Sequence, residues 1–331
     1  MNVVEFARSL VDIDSTTGHE AKAGAWLSSA LRRLHYQVVE QPVGDGRYNI
    51  FARLGSPVVV LSTHYDCVPP FFPSSVRDGR LYGRGSCDAK GIIAAQVAAV
   101  ERLRAAGERR VGLLFVVGEE RGSDGAAVAN THPPGSKFLI NGEPTDSRLA
   151  TFTRGVLRLR LRAAGIAAHS ALPERGESAI DKLLDALVQL RGIELPSDPQ
   201  FGQTFFTIGL IEGGVAPNVI SPQASAEVLF RTIGPPDDIL ARLHVLEPLV
   251  SIEEILRVPE QRLETPEGTG IESAPCRFTT DLPLLDRWGA PMLFGPGSIL
   301  VAHTSEEHID ISELEAAPDT YARLAVACLR Q

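Results

Sequence analysis

Residues 91–117 read GIIAAQVAAVERLRAAGERRVGLLFVV, and the two halves of this stretch decide the fold. The first, 91–105, is Ala-rich and long enough for a helix. The second, 109–117, is a short apolar run of strand length. A strand that apolar belongs in a sheet covered on both faces. Working outward, PVVVLS at 57–62 and KFLIN at 137–141 are further buried strands. Ala23, Trp26, Leu27, Ala30, Leu31 and Leu34 form an apolar helical face after the turn-rich DSTTG of 14–18, and Val3, Val4, Ala7, Leu10 and Val11 form another. The Pro/Gly-rich VPPFFPSSVRDGRLYGRGS of 68–86 demands loop with a short hairpin. Strands alternating with helices predict an α/β layer with a mostly parallel central sheet.

The pattern changes near residue 154. GVLRLRLRAA (155–164) alternates apolar and charged residues, as a half-exposed strand does. An amphipathic helix (179–190), two strands (205–211 and 224–233), a helix (237–249) and a final strand (251–259) follow. That β-α-β-β-α-β order is the pattern of a small open-faced α+β sandwich. MLFGPGS (292–298) and a last helix at 312–329 look like a return to the first layer. The expected organisation is one domain from 1–153 and 270–331, interrupted by an inserted domain at 154–269.

Composition bounds the function. The 331 residues are 44% hydrophobic and 22% charged, an ordinary globular balance. Lys and Arg number 32 against 41 Asp and Glu, a formal charge of −9, which disfavours a polyanion-binding surface. Cys67, Cys87, Cys276 and Cys328 are too few and too scattered for a disulfide framework, which fits a reducing, cytoplasmic setting. No apolar run approaches the roughly 18 residues needed to span a bilayer. Nucleic acid and membrane are therefore not among the expected partners.

Five short motifs follow strands or glycine turns, where open α/β sheets place their ligands. His64-Tyr65-Asp66 follows PVVVLS; an imidazole ligates metals well, and Asp66 is placed to orient its ring. Asp88 sits in the glycine turn GRGSCDAKG (83–91), where it could bridge two ions; a GxGxxG reading fails because Asp88 takes the third glycine's place. Glu119-Glu120 follows LLFVVG, and adjacent carboxylates at a buried strand's end call for a cation. Glu143 lies in NGEPTD and His303 in GPGSILVAH. Each motif alone is compatible with an ordinary polar loop; the set carries the signal.

Together with AAHSALPERGESAI (167–180) and GGVAPNVI (213–220), the segments STHYD, DGRLYGRGSCDAKG, FVVGEERGSDGA, NGEPTD and FGPGSILVAH resemble the M20 family of metal-dependent peptidases and amidohydrolases, in order and over nearly the whole chain. The resemblance implies a zinc-exopeptidase-like catalytic domain with an inserted dimerisation or lid domain. It implies two zinc ions, with cobalt or manganese as substitutes. His64 and Glu143 would hold one, His303 and Glu120 the other, and Asp88 would bridge them. Glu119 would be the general base for a metal-bridged water, with Asp66 supporting His64 and a cis peptide at Asp88–Ala89. His169 would help hold the oxyanion, often from the partner subunit of a homodimer, while Arg231, Asn218 and Gly297 would bind substrate. The leading expectation is a di-metal deacylase acting on non-peptide amide bonds of N-acyl amino acids, of the acetylornithine deacetylase or succinyl-diaminopimelate desuccinylase kind, in amino-acid biosynthesis. A carboxypeptidase or dipeptidase is the alternative, and a silent binding protein on the same scaffold a third. The chain departs from the family pattern at Gly118, where an aspartate is usual, at Tyr65, where a threonine is, and in a shortened loop after Asp66.

Overall fold

The computed structural model describes residues 1–331. The chain divides into two compact units, 1–151 with 262–275 and 280–331, and 152–261 with 276–279. Residues 262–269, read from sequence as part of the insertion, thus belong to the first unit, and 276–279 to the second.

In chain order the main elements of the first segment are α1 (Val3–Val11), α2 (Ala21–Arg33), β1 (Gln37–Gly44), β2 (Arg47–Arg53), β3 (Val59–His64), α3 (Lys90–Ala105), β4 (Val111–Val116), α4 (Asp124–Asn130) and β5 (Phe138–Asn141). The second unit contributes β6 (Gly155–Ala164), α5 (Ala179–Arg191), β7 (Phe205–Gly213), β8 (Gln223–Thr232), α6 (Pro236–Leu243) and β9 (Ser251–Val258). The chain then returns with β10 (Ala290–Leu293) and α7 (Ile311–Leu329).

The first unit's sheet runs β1-β2-β4-β3-β5-β10. The pairs β4–β3, β3–β5 and β5–β10 are parallel, whereas β1–β2 and β2–β4 are antiparallel. The sheet is therefore mixed, with an antiparallel hairpin at one edge. Every residue of β3 and of β4 is buried; α3 packs against both strands and α4 against β4. α3 is buried almost all round; its alanines permit close packing of α1 and α7 alongside it. Each fully buried Leu or Ile of this core contributes about 1.5–3 kcal/mol. The expected hairpin in the Pro/Gly-rich stretch is present, as 75–77 and 80–82, and 308–310 joins it as a third antiparallel strand.

The second unit holds a wholly antiparallel sheet of order β7-β8-β6-β9. Alternation along β6 buries Leu157, Leu159, Leu161 and Ala163 on one face, against Leu183, Ala186, Leu187 and Leu190 of α5. The opposite face carries Arg158, Arg160 and Arg162, which pair with Glu227 and Glu253 on the neighbouring strands. Ser178 caps α5 by accepting the Asp181 N–H.

Candidate metal centre

The first unit's candidate ligands gather at the carboxyl ends of the parallel strands, the usual ligand side of such sheets. His64 is the last residue of β3, Glu119 and Glu120 lie in a short 3-10 turn after β4, and Glu143 follows β5. Asp88 stands just before α3, and its peptide bond to Ala89 is cis. His303 is brought in by the loop after β10, with a positive φ of 65°.

His64 Nε2 lies 3.0 Å from Asp88 Oδ1 and 3.9 Å from Glu143 Oε1. His303 Nε2 lies 3.4 Å from Asp88 Oδ2 and 3.0 Å from Glu120 Oε1. The donor atoms of His64, Asp88 and Glu143 form one cluster and those of Asp88, Glu120 and His303 a second, each within 4.8 Å. Asp88 belongs to both and turns one oxygen toward each imidazole. The first cluster is buried; in the second, His303 is half exposed.

The electrostatics are those of a site short of positive charge. Burial, aggravated by Glu143, pushes the partly buried Glu119 well above the usual carboxylate range. Burial, reinforced by Asp88, raises Glu143 in the same way, although His64 opposes it. Burial also raises Glu120 against its hydrogen bond to His303. Burial works against a charged His64, but Asp66, Asp88 and Glu143 outweigh it and hold the ring well above its ordinary value. Hydrogen bonds to Asp88 and Glu120 lift His303 to about 10. These groups fit a pair of divalent ions. Four carboxylates surround two imidazoles, and Glu143 Oε1 is buried with no hydrogen-bond partner. Mixed imidazole and carboxylate donors suit zinc, cobalt and manganese.

Asp66 does more than the sequence suggested. His64 Nδ1 lies 3.0 Å from its carbonyl oxygen and 3.5 Å from its carboxylate. That carboxylate also accepts the backbone N–H of Glu119 (3.1 Å) and of Glu120 (3.2 Å) and the Thr17 hydroxyl (2.8 Å). Sequence reasoning missed further buried acids, among them Asp281 and Glu307. Asp281 is buried, and burial lifts it to about 6. Glu307 accepts backbone N–H groups in the turn that carries Asp88. Cys67 and Cys87 are buried free thiols, and burial pushes Cys67 up to about 12.

His169, Asn218 and Arg231 lie in the second unit. Two adjacent loops bring the first two together: His169 bridges to Val219, and Ser170 N–H donates to the Asn218 carbonyl. His169 is exposed, and its Nδ1 accepts the Ala171 N–H. Arg231 Nη1 donates to Thr279 Oγ1 at 3.1 Å. Gly297 lies in the first unit. It is buried, its N–H donates to Glu313 at 2.9 Å, and a Cβ there would lie 2.6 Å from Cys87 Sγ. Its small size fits that close packing.

The profile of a family described as "Peptidase family M20/M25/M40" matches residues 60–327. A protein of Aspergillus terreus named "Probable carboxypeptidase" is 38% identical over 374 residues, covering 98% of this chain and 86% of that protein. Among solved structures, a tripeptidase of Staphylococcus aureus superposes with a TM-score of 0.84 at 20% identity, covering 100% of this chain and 98% of the other. A Bacillus subtilis protein described as a dinuclear metal binding peptidase from the M20 family gives 0.73 at 15%, covering 99% and 98%. Both structural likenesses speak to the fold.

Proposed function

Because the chain belongs to the M20/M25/M40 peptidase family, we propose that it is a two-ion metallo-exopeptidase of the carboxypeptidase kind, acting on short peptides. The observation that carries this reading is the pair of donor clusters sharing Asp88. His64 and Glu143 would hold one ion and Glu120 and His303 the other, with Asp88 between them. Bound there, the ions would lower the pKa of water to about 7 and polarise the scissile carbonyl.

The chain's own residues supply the rest. Glu119 lies beside the clusters but in neither, and a carboxylate raised by burial is suited to taking a proton near neutral pH and returning it to the leaving amine. Asp66 would hold Glu119 and Glu120 at fixed positions through their backbone N–H groups. Of the second unit's residues, Arg231 would bind a substrate carboxylate, His169 would help hold the oxyanion and Asn218 would hydrogen-bond substrate.

The same chemistry removes an acyl group from an N-acyl amino acid, the activity ranked first from sequence alone. The names of relatives 35–38% identical over almost the whole chain support the peptidase order instead. A panel of dipeptides, tripeptides and acetyl and succinyl amino acids, assayed with zinc, cobalt and manganese, tests it. Faster release of a C-terminal residue from peptides supports the proposal; turnover of N-acyl amino acids alone would replace it with the deacylase reading. A homodimer through the second unit is part of the proposal. Its support is β7, an edge strand exposing Leu210 and Ile211. Sedimentation of active protein as monomer only would contradict it. No helix is long and apolar enough to cross a membrane.

A further inference from the structure

Glu307 is completely buried although it belongs to none of the ligand clusters. One oxygen, Oε1, accepts three backbone N–H groups, from Gly85 at 2.9 Å, Cys87 at 3.3 Å and Asp88 at 3.1 Å. The other, Oε2, pairs with Arg84 Nη1 at 2.5 Å. Arg84 is itself buried, donates through Nε to the Pro70 carbonyl at 3.2 Å and lies over the Phe72 ring. The Glu307 carbonyl completes the arrangement by accepting the Gly83 N–H.

The 83–88 turn is therefore wrapped around a single side chain. Successive backbone N–H groups converging on a carboxylate make an anion-holding concavity, and here the anion is part of the protein. Two consequences follow from where that side chain comes from. Glu307 lies four residues beyond His303, and 308–310 pairs with 80–82 in the small antiparallel sheet. The residue thus ties the turn bearing Asp88 to the loop bearing His303, two of the three ligands of one cluster. Its contact with the Asp88 N–H also fixes the backbone of the only residue common to both clusters. A residue serving packing alone would need neither the charge nor three aligned donors.

We propose that Glu307, backed by Arg84, is a positioning residue that sets the Asp88 carboxylate between the two ion sites, so that both ions depend on it. The proposal rests on the two-ion reading. The test uses the full-length protein stripped of metal and titrated with cobalt(II), followed by calorimetry and by the visible absorption of the bound ion. Glu307→Gln keeps the shape but presents an amide N–H₂ to the Arg84 guanidinium or to the backbone donors. Outer-shell partners typically change metal affinity by about 10–100-fold. The expected result is weakening of both ions within that range and an altered cobalt spectrum. Glu143→Ala, by contrast, is expected to lose one ion. If Glu307→Gln binds two ions with the affinity and spectrum of the unaltered protein, the proposal is overturned. If the unaltered protein itself binds no ion pair, the two-ion reading fails instead. Should Glu307→Gln not fold, Arg84→Lys leaves the three N–H contacts in place. A smaller weakening of both ions is then expected, and unchanged binding overturns the proposal.

Discussion

The Asp66 carboxylate accepts the backbone N–H of Glu119 at 3.1 Å, so a residue two positions past the end of β3 anchors the turn after β4. The adjacent parallel strands end together, with His64 opposite Val116. One buried carboxylate can therefore reach the His64 ring and the Glu119-Glu120 turn. Its ionised state follows from those contacts: burial opposes it, but His64, Thr17 and the Glu119 N–H hold Asp66 below the ordinary carboxylate value.

Asp66→Ala should thus harm stability and turnover together. It strands buried donors, each costing about 1–3 kcal/mol when unmet, and frees the turn that carries Glu119. Denaturant unfolding of ion-free protein should show the loss of stability. The kcat of ion-loaded protein should fall even where the variant is fully folded. A variant with lowered stability and unchanged kcat would confine Asp66 to a structural role.

Glu119→Gln should separate chemistry from metal binding. Removing a general base costs about 10²–10⁴ in rate, and Glu119 is absent from both donor clusters. Single-turnover rates should drop within that range while elemental analysis finds the same ion content. Loss of an ion would make Glu119 a ligand.

Metal binding should become tighter as pH rises and should release protons at neutral pH. Without ions, His303 is held at about 10 by Asp88 and Glu120, and His64 is raised well above its ordinary value. Both rings are protonated below those values, yet ligation requires them neutral. Each ion must displace a proton, so affinity climbs with pH until the rings deprotonate unaided. Calorimetry in buffers of different ionisation enthalpy measures the protons released. A buffer-independent heat at pH 7 would contradict the expected protonation.

Gly118→Asp, which supplies the aspartate usual in the family, should destabilise this chain rather than improve it. Gly118 has a φ of 76°, and a Cβ there would lie 2.0 Å from Asp124 Oδ1. That carboxylate cannot swing away freely, because Arg47 grips it with two nitrogens, at 2.5 and 3.3 Å. The left-handed backbone alone contributes about 1–3 kcal/mol of strain. Chemical denaturation of Gly118→Asp, with and without Asp124→Ala, should show the second substitution recovering part of the loss. An additive pair would mean that the two side chains do not compete.

Much of this was legible in residue order. The buried runs at 57–62, 109–117 and 137–141 form strands, and the alternation of 155–164 buries its leucines on one face. The hairpin of β1 and β2 was not read, because β1 is mostly exposed and carries Glu40, Gln41 and Pro42, so it shows no apolar run. Its turn was marked all the same by Asp45-Gly46, both at positive φ. The candidate ligands were visible because imidazoles and carboxylates after buried strands stand out. Glu307 was not, because its work is done on backbone N–H groups 219–222 positions away, and no side-chain pattern records that. Asp281 was hidden likewise in DLPLLD, where nothing local shows that it becomes buried.

The central claim is that Asp88 serves two ions at once, and its most direct test is ion stoichiometry against activity. Metal-free protein is titrated with cobalt while C-terminal release from a short peptide is followed. The account predicts two ions per chain, activity that rises with their binding and is abolished by chelation, and loss of both ions in Asp88→Ala. A single ion per chain, one ion retained by Asp88→Ala, or hydrolysis that survives exhaustive chelation would contradict it.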